Sequence, residues 1–227
     1  MNKGKPSNRS NRRGWPELIQ HYGRVFRPRT RREQEWFRQQ PSPGSAVRYA
    51  ALAENEKGHR YRHQSRISRG VLEEAADLLS RALPALRKAR SFHELHRLVK
   101  EIVGDIHGIG RLYVYDTSFR IGSKLGFLPK KVYLHAGTQH GARALGLDGT
   151  EWLEVSQLPA GLRMLPAYEV EDILCLYKDR IPRERGCSQP TGLQGTHLGL
   201  SGCGGRRASE SRTEGSPLLN LKRASLG

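Results

Sequence analysis

Apolar residues recur every three or four positions along much of the chain, the spacing that places side chains on one face of an α-helix. One such stripe begins at Leu72 and stops near Pro84, a residue that cannot continue a helix. A second helix is predicted to start at a capping box, in which Ser91 accepts from the Glu94 amide and Glu94 reaches back. A third stripe runs through residues 170–181.

Several shorter segments are also predicted to be helical. "RREQEWFRQQP" and "SAVRYAALAEN" each predict a helix, and Gly137 and Gly141 are predicted to bracket a turn and a short helix. Strand signals are few, and "KKVYLHA" is the best of them. We therefore predict an all-α fold: a single compact helical domain over residues 14–183, with a helix-hairpin-helix-like turn.

The two ends of the chain differ from this domain in amino-acid composition. Residues 184–227 contain no aromatic residue and are rich in Gly, Ser and Arg, so they cannot bury enough apolar surface to offset the entropy of ordering. We predict that this segment and residues 1–13 are disordered basic tails. The net charge is +17, and the first 34 residues hold ten lysines or arginines against two glutamates.

Such basic extensions attract polyanions. Nucleic acid is the polyanion that we expect first, and DNA is the expected type. Anionic lipid or acidic proteins would satisfy the same charge. Three cysteines without paired spacing predict neither a disulfide framework nor a metal site, and no cofactor motif is present. No apolar run is long enough to span a membrane and no signal-peptide pattern opens the chain, so a cytoplasmic protein is expected.

The segment Ile106-His107-Gly108-Ile109-Gly110 carries the most specific pattern. Its apolar-x-Gly-apolar-Gly order is typical of a helix-hairpin-helix turn. Glycines open backbone conformations closed to other residues, and they leave the amides of the next helix, which begins near Arg111, accessible to a phosphate. A tight turn between two helices with no ligand is the alternative.

The helix that follows the turn is apolar around most of its circumference. One polar stripe contains Asp116, Arg120 and Lys124 at successive four-residue steps. The stripe is predicted to line a cleft in which Arg120 and Lys124 hold phosphate. A surface Asp116–Arg120 pair is the alternative, and it would stabilise the fold little.

"VYDTSFRIGSKLG" resembles a segment of the helix-hairpin-helix DNA glycosylases, and the likeness covers residues 92–127. It implies that Asp116 is a catalytic carboxylate and that Gly108 and Gly110 are the hairpin glycines. The family's lyase nucleophile corresponds to Leu112, so the resemblance implies a monofunctional enzyme. In the family a helix and a loop separate hairpin from aspartate, whereas here five residues do. "YLHAGT" also resembles a motif of a bacterial group without known function.

Two further segments are candidate contributors to the same cleft. The basic loop "KGHRYRHQSRISR" (57–69) supplies possible phosphate contacts at Arg60, Arg62 and Arg66, and Tyr61 could stack on a base. A solvated loop is the alternative. "YLHAGTQHG" (133–141) is expected to be a glycine-rich turn, not a metal site, since no carboxylate lies near its histidines in sequence.

Three functions remain open from the sequence. The first is a nucleic-acid-binding protein that uses the hairpin and its basic segments on the phosphate backbone. The second is a glycosylase-like enzyme with Asp116 as its carboxylate. The third is a helical protein-interaction module whose basic tails bind acidic partners.

Overall fold

The computed structural model describes residues 14–149 and 151–181. Ten α-helices, one two-stranded sheet and two 3₁₀ turns, at Arg62–Gln64 and Val155–Gln157, make up the regular structure of these residues. The elements are α1 (Trp15–Val25), α2 (Arg27–Arg38), α3 (Pro43–Leu52), α4 (Arg69–Arg81), α5 (Leu83–Leu86), α6 (Phe92–Val103), α7 (Arg111–Leu125), β1 (Val132–Tyr133), α8 (Ala136–Ala144), β2 (Trp152–Leu153), α9 (Ala160–Arg163) and α10 (Ala167–Leu176). The predicted all-α fold is therefore confirmed.

The predicted start of α6 at Ser91 is confirmed, and a serine that was not predicted as a cap also starts α4. Ser68 caps α4 by accepting from the Val71 amide at 3.3 Å, and Ser91 caps α6 by accepting from the Glu94 amide at 3.2 Å. The capping box is only half formed, because the Glu94 carboxylate accepts from the amide of Arg90 instead. Pro84 does not directly follow α4; it lies in the first turn of α5, where a missing amide is tolerated.

Helix α7 is the centre of the first hydrophobic cluster. It packs against α2, α3 and α6, and most of its residues are buried, as its nearly continuous apolar surface predicts. Phe37, Leu79, Leu95 and Ile121 are among the fully buried side chains of this cluster. This arrangement places the start of α7 at the end of the hairpin and encloses its middle within the fold.

A second hydrophobic cluster joins the first helix to the last. Leu18 and Tyr22 of α1 are buried together with Leu153, Val170 and Leu174. The predicted strand is confirmed as β1, which pairs antiparallel with β2 through Val132 opposite Leu153 and Tyr133 opposite Trp152. Helix α1 was not predicted from the sequence.

The short helix predicted at Gly137 and Gly141 is confirmed as α8, but the glycine-rich turn expected over residues 133–141 is wrong. Gly137 and Gly141 lie inside α8, on the face that contacts α10. A Cβ on Gly141 would overlap the carbonyl of Leu174, so the two helices approach at a distance that only glycine permits.

The described residues belong to one compact unit. The tails predicted at 1–13 and 184–227, and the last two residues of the predicted domain, lie outside them. No helix within residues 14–149 and 151–181 is long and apolar enough to cross a membrane.

Candidate functional site

The predicted hairpin connects α6 to α7. The turn closes with hydrogen bonds from the Ile106 amide to Val103 and from the Ile109 amide to Ile106, at 3.1 and 3.0 Å. Gly108 has φ of 93°, a left-handed conformation that disfavours residues with a side chain. Gly110 is the N-cap residue of α7 in an extended conformation, and no side chain of the described residues caps this helix.

A surface pocket of about 640 Å³ lies at the start of α7. One wall consists of Gly110, Arg111 and Leu112, and another consists of His135 and Ala136 at the start of α8, with residues 148–149 between them. Helix α8 also lacks a side-chain cap within the described part of the chain. Two helix N-termini, each with first-turn amides and a positive dipole end, therefore border one pocket.

Arg120 does not line a cleft, contrary to the prediction. Its side chain is 3% exposed, its Nε donates to Glu33 at 2.7 Å, and its guanidinium stacks on the ring of Tyr61 at 3.9 Å. Asp116 is the second carboxylate near it, at 3.8 Å. Arg120 is thus an internal charge held by α2 and the basic loop, and the predicted phosphate contact at this residue is wrong.

Lys124 has a structural role as well. Its Nζ donates to the backbone carbonyls of Arg38, at 3.0 Å, and Gln40. These carbonyls lie at the end of α2, where carbonyl groups lack helical partners and a cation is favourable. Lys124 is half-buried, and the phosphate contact at this residue stays a prediction.

The basic loop divides into enclosed and exposed residues. Tyr61 packs against Arg120 and cannot stack on a base, while Arg60 donates to the carbonyl of Ile67 at 2.7 Å. Burial raises the pKa of Tyr61, and the charge of Glu33 adds to this. Arg62 and Arg66 are exposed to solvent, so they remain available for phosphate.

Asp116 lies against the basic loop, as expected if both belong to one site. Its carboxylate accepts a hydrogen bond from Gln64 and lies 3.9 Å from Nδ1 of His63. It does not line the pocket. Five residues of helix separate it from Arg111, which corresponds to about 7.5 Å along the axis and a rotation of about 140°.

A buried polar cluster between α8 and α10 was not predicted from the sequence. Its centre is His135, whose Nε2 contacts the carboxylate of Glu171, and Thr138 donates to the same carboxylate at 2.8 Å. His135 is 4% exposed and Glu171 is 5% exposed. The carboxylate that the histidines lack in sequence is thus supplied by α10.

Further acidic and hydroxyl groups extend this cluster. Asp172 accepts from the hydroxyl of Tyr22 at 2.6 Å and from Thr30 at 3.1 Å. Tyr115 is buried, and its hydroxyl has no hydrogen-bond partner among residues 14–149 and 151–181. Burial raises the pKa of Tyr115, and the charge of Glu171 contributes next.

The titration of the cluster reflects its burial. Burial and then the charge of Glu171 raise the pKa of Asp172 to about 7, and the same two causes raise that of Cys175 to about 12. Burial disfavours the charged form of His135, but the hydrogen bond and charge of Glu171, with more distant carboxylates, outweigh it and raise its pKa.

The sequence contained one signal for this cluster. "EVEDILC" places Glu171 and Cys175 four residues apart on α10, so both project from one helix face. The partner His135 comes from a segment 36 residues earlier, and no periodicity in either segment links the two.

Comparison with known proteins leaves the function open. No protein-family model matches the chain, and neither a curated protein nor a solved structure is significantly similar to it.

Proposed function

We propose that the protein binds nucleic acid through its phosphate backbone, with one phosphate group in the pocket between the starts of α7 and α8. The convergence of two uncapped helix N-termini on that pocket is the observation that carries the proposal. First-turn amides donate to phosphate oxygens, and the two dipoles favour an anion between them.

The side chains at the start of α7 fit the same role. Gly110 presents no side chain, and a Cβ built on it meets nothing within 4 Å, so the backbone is open to a ligand. Arg111 is exposed at the rim, where a guanidinium can pair with phosphate. Asp148 is the one carboxylate in the wall, and it accepts from the amide of Gly149 at 3.1 Å.

The test is binding of the full chain to a fluorescent DNA duplex over a range of salt concentrations. Gly110→Val should weaken binding because its branched side chain blocks the amides, while the extended backbone at this position accepts valine. Gly70→Val is the matched control, since Gly70 also has open space around it and does not line the pocket. Equal affinity of a folded Gly110→Val variant would disprove a phosphate in the pocket.

Arg111 is tested through the salt dependence. Arg111→Gln should lower the slope of log affinity against log salt by about one, because one phosphate contact is lost. Arg81→Gln, at an exposed arginine of α4 outside the pocket, is the control. Absence of any salt-dependent binding by the wild type would leave the protein-interaction hypothesis in its place.

Base excision at Asp116 is the second candidate, favoured by the position of this carboxylate against the basic loop. Asp116→Asn keeps the shape of the side chain and removes its charge. If the protein excises bases, turnover should fall by orders of magnitude while binding persists, since charge stabilisation is often the largest catalytic contribution. The assay is alkali-induced strand breakage in duplexes with uracil, alkylated or oxidised bases; no release by the wild type excludes this activity.

A further inference from the structure

We infer that buried His135 and Glu171, with half-buried Cys175, form a binding site for one divalent transition-metal ion of the zinc class. One donor atom from each residue lies within 4.8 Å of the other two. This inference does not rest on nucleic-acid binding, and its readout is the metal itself.

Two glycines of α8 bring the three donors together. Gly137 faces Cys175 so closely that a Cβ on the glycine would lie 2.6 Å from Sγ, and Gly141 faces the backbone of Leu174. Their spacing of four residues puts both on one side of α8. The close approach of α8 to α10 therefore sets His135, the N-cap of α8, against the two α10 donors.

The donor types select the class of ion. Imidazole nitrogen and thiolate sulfur bind zinc-like ions, whereas magnesium and calcium prefer oxygen ligands alone. Thr138 donates to the Glu171 carboxylate at 2.8 Å, which is how a neighbouring group orients a ligating carboxylate. On binding, the ion replaces the proton shared between His135 and Glu171 and the proton of the thiol, and both leave to solvent.

The buried hydroxyl of Tyr115 is a separate observation that favours a bound ion or water beside Glu171. The Tyr115 hydroxyl is fully buried without a partner among the described residues, and Glu171 is the charged group that affects it most. It is one of six buried side-chain polar atoms without such a partner among the described residues, and a bound water or ion is a usual explanation for such an atom. Water held as a fourth ligand of the ion would supply that partner.

The surrounding charge also favours a cation. The carboxylates of Asp116 and Asp172 lie close enough to act electrostatically on His135 together with Glu171. The guanidinium of Arg120 forms ion pairs with Glu33 and Asp116, although its Nη1 has no hydrogen-bond partner among the described residues. His135 also lines the pocket, which provides a route for the ion.

The experiment is titration of the untagged, chelator-treated full chain with Co²⁺ and then Zn²⁺. We expect one ion per chain, a thiolate-to-cobalt charge-transfer band and the intense visible bands of four-coordinate cobalt, all lost on addition of Zn²⁺. Cys175→Ser should abolish the charge-transfer band. The double variant Cys187→Ser and Cys203→Ser, which removes the other two thiols, should retain it.

Two further variants protect the test against misfolding. Thr138→Val retains all three ligands and should weaken Zn²⁺ binding roughly 10- to 100-fold, the usual effect of losing a group that orients a ligand. Zn²⁺ should raise the melting temperature of the wild type but not that of Glu171→Gln. The inference is overturned if the wild type binds no cobalt, or if the band survives in Cys175→Ser and disappears in the double variant; the cluster is then a hydrogen-bonded His–Glu–Thr network without metal.

Discussion

At the scale of single residues, the middle of α7 is organised around the buried guanidinium of Arg120. Glu33 from α2 and Tyr61 from the basic loop enclose it, and Asp116 lies one turn earlier on the same helix. The sequence places Asp116 and Arg120 four residues apart, but the nearest carboxylate is 87 residues away from Arg120 in the chain. The polar stripe is therefore an internal charge network.

Removing Glu33 tests this network. Glu33→Gln leaves a buried guanidinium with a weaker partner, so we expect a loss of up to about 3 kcal/mol in the free energy of unfolding. Glu35→Gln on the same helix affects only an exposed pair with Arg38 and an exposed hydrogen bond from Gln39, so it should cost less than about 0.5 kcal/mol. Urea denaturation followed by circular dichroism gives both values; equal effects would show that the Arg120 pair contributes no more than a surface pair.

His96 gives a prediction about acid stability. It lies 4.4 Å from the ring of Tyr133, and burial, with the charge of Lys100, lowers its pKa to about 4. In the unfolded chain this histidine binds its proton near pH 6.5. The free energy of unfolding that is due to His96 is therefore lost as the pH falls from about 6.5 to about 4. The loss is at most about 1.4 kcal/mol per pH unit.

The variant His96→Gln should reduce this loss. Its free energy of unfolding, measured in urea at several pH values, should fall less steeply than that of the wild type between pH values of about 6 and 4. His59→Gln, at an exposed histidine, is the matched control and should follow the wild type. Parallel curves for all three proteins would show that His96 titrates normally in the folded state.

At the scale of elements, the contact of α8 with α10 depends on backbone proximity. A Cβ at Gly141 would overlap the Leu174 carbonyl, and a backbone atom cannot yield as a flexible side chain can. We expect Gly141→Ala to lower the free energy of unfolding by about 1–3 kcal/mol, the usual cost of overpacking. Gly70→Ala, in open space on α4, should instead be neutral or stabilising by about 0.5–1 kcal/mol.

The elements that were predicted correctly are those whose own residues determine them. Helices α4 and α6 combine a long apolar stripe with a serine cap, and the hairpin between α6 and α7 follows from its two glycines. Gly137 and Gly141, which were predicted to bracket a turn and a short helix, both lie inside α8. Both are weak helix formers, and the contact that compensates them is with α10, far along the chain. The pocket and the His135 cluster depend on that same contact; only the four-residue spacing of Glu171 and Cys175 is visible in the sequence, and it does not identify their partner.

At the scale of the whole molecule, α1 completes a hydrophobic cluster that otherwise consists of residues 132–181. Tyr22 bonds to Asp172 at 2.6 Å, and Arg27, at the start of α2, makes a two-pronged ion pair with Glu169 at 2.6 and 2.7 Å. Tyr115 and Phe119 of α7 pack with Phe92 and Tyr133 between the two large clusters. The two large hydrophobic clusters, one around α7 and one that joins α1 to the C-terminal helices, should therefore unfold together.

Leu18→Ala tests this cooperativity from the first helix. Leu18 is 1% exposed in the second cluster, so truncation should cost about 2–5 kcal/mol.

In a Trp36→Phe background, fluorescence follows Trp15 and Trp152, while circular dichroism follows all helices. Because the clusters are joined by ion pairs and by the aromatic group around Tyr115, we expect both signals of the Leu18→Ala variant to shift to lower urea concentration and to remain coincident. A fluorescence transition that precedes the loss of helical signal would mean that α1 and the C-terminal half form a separate folding unit, and that α7 with its neighbours is stable without them.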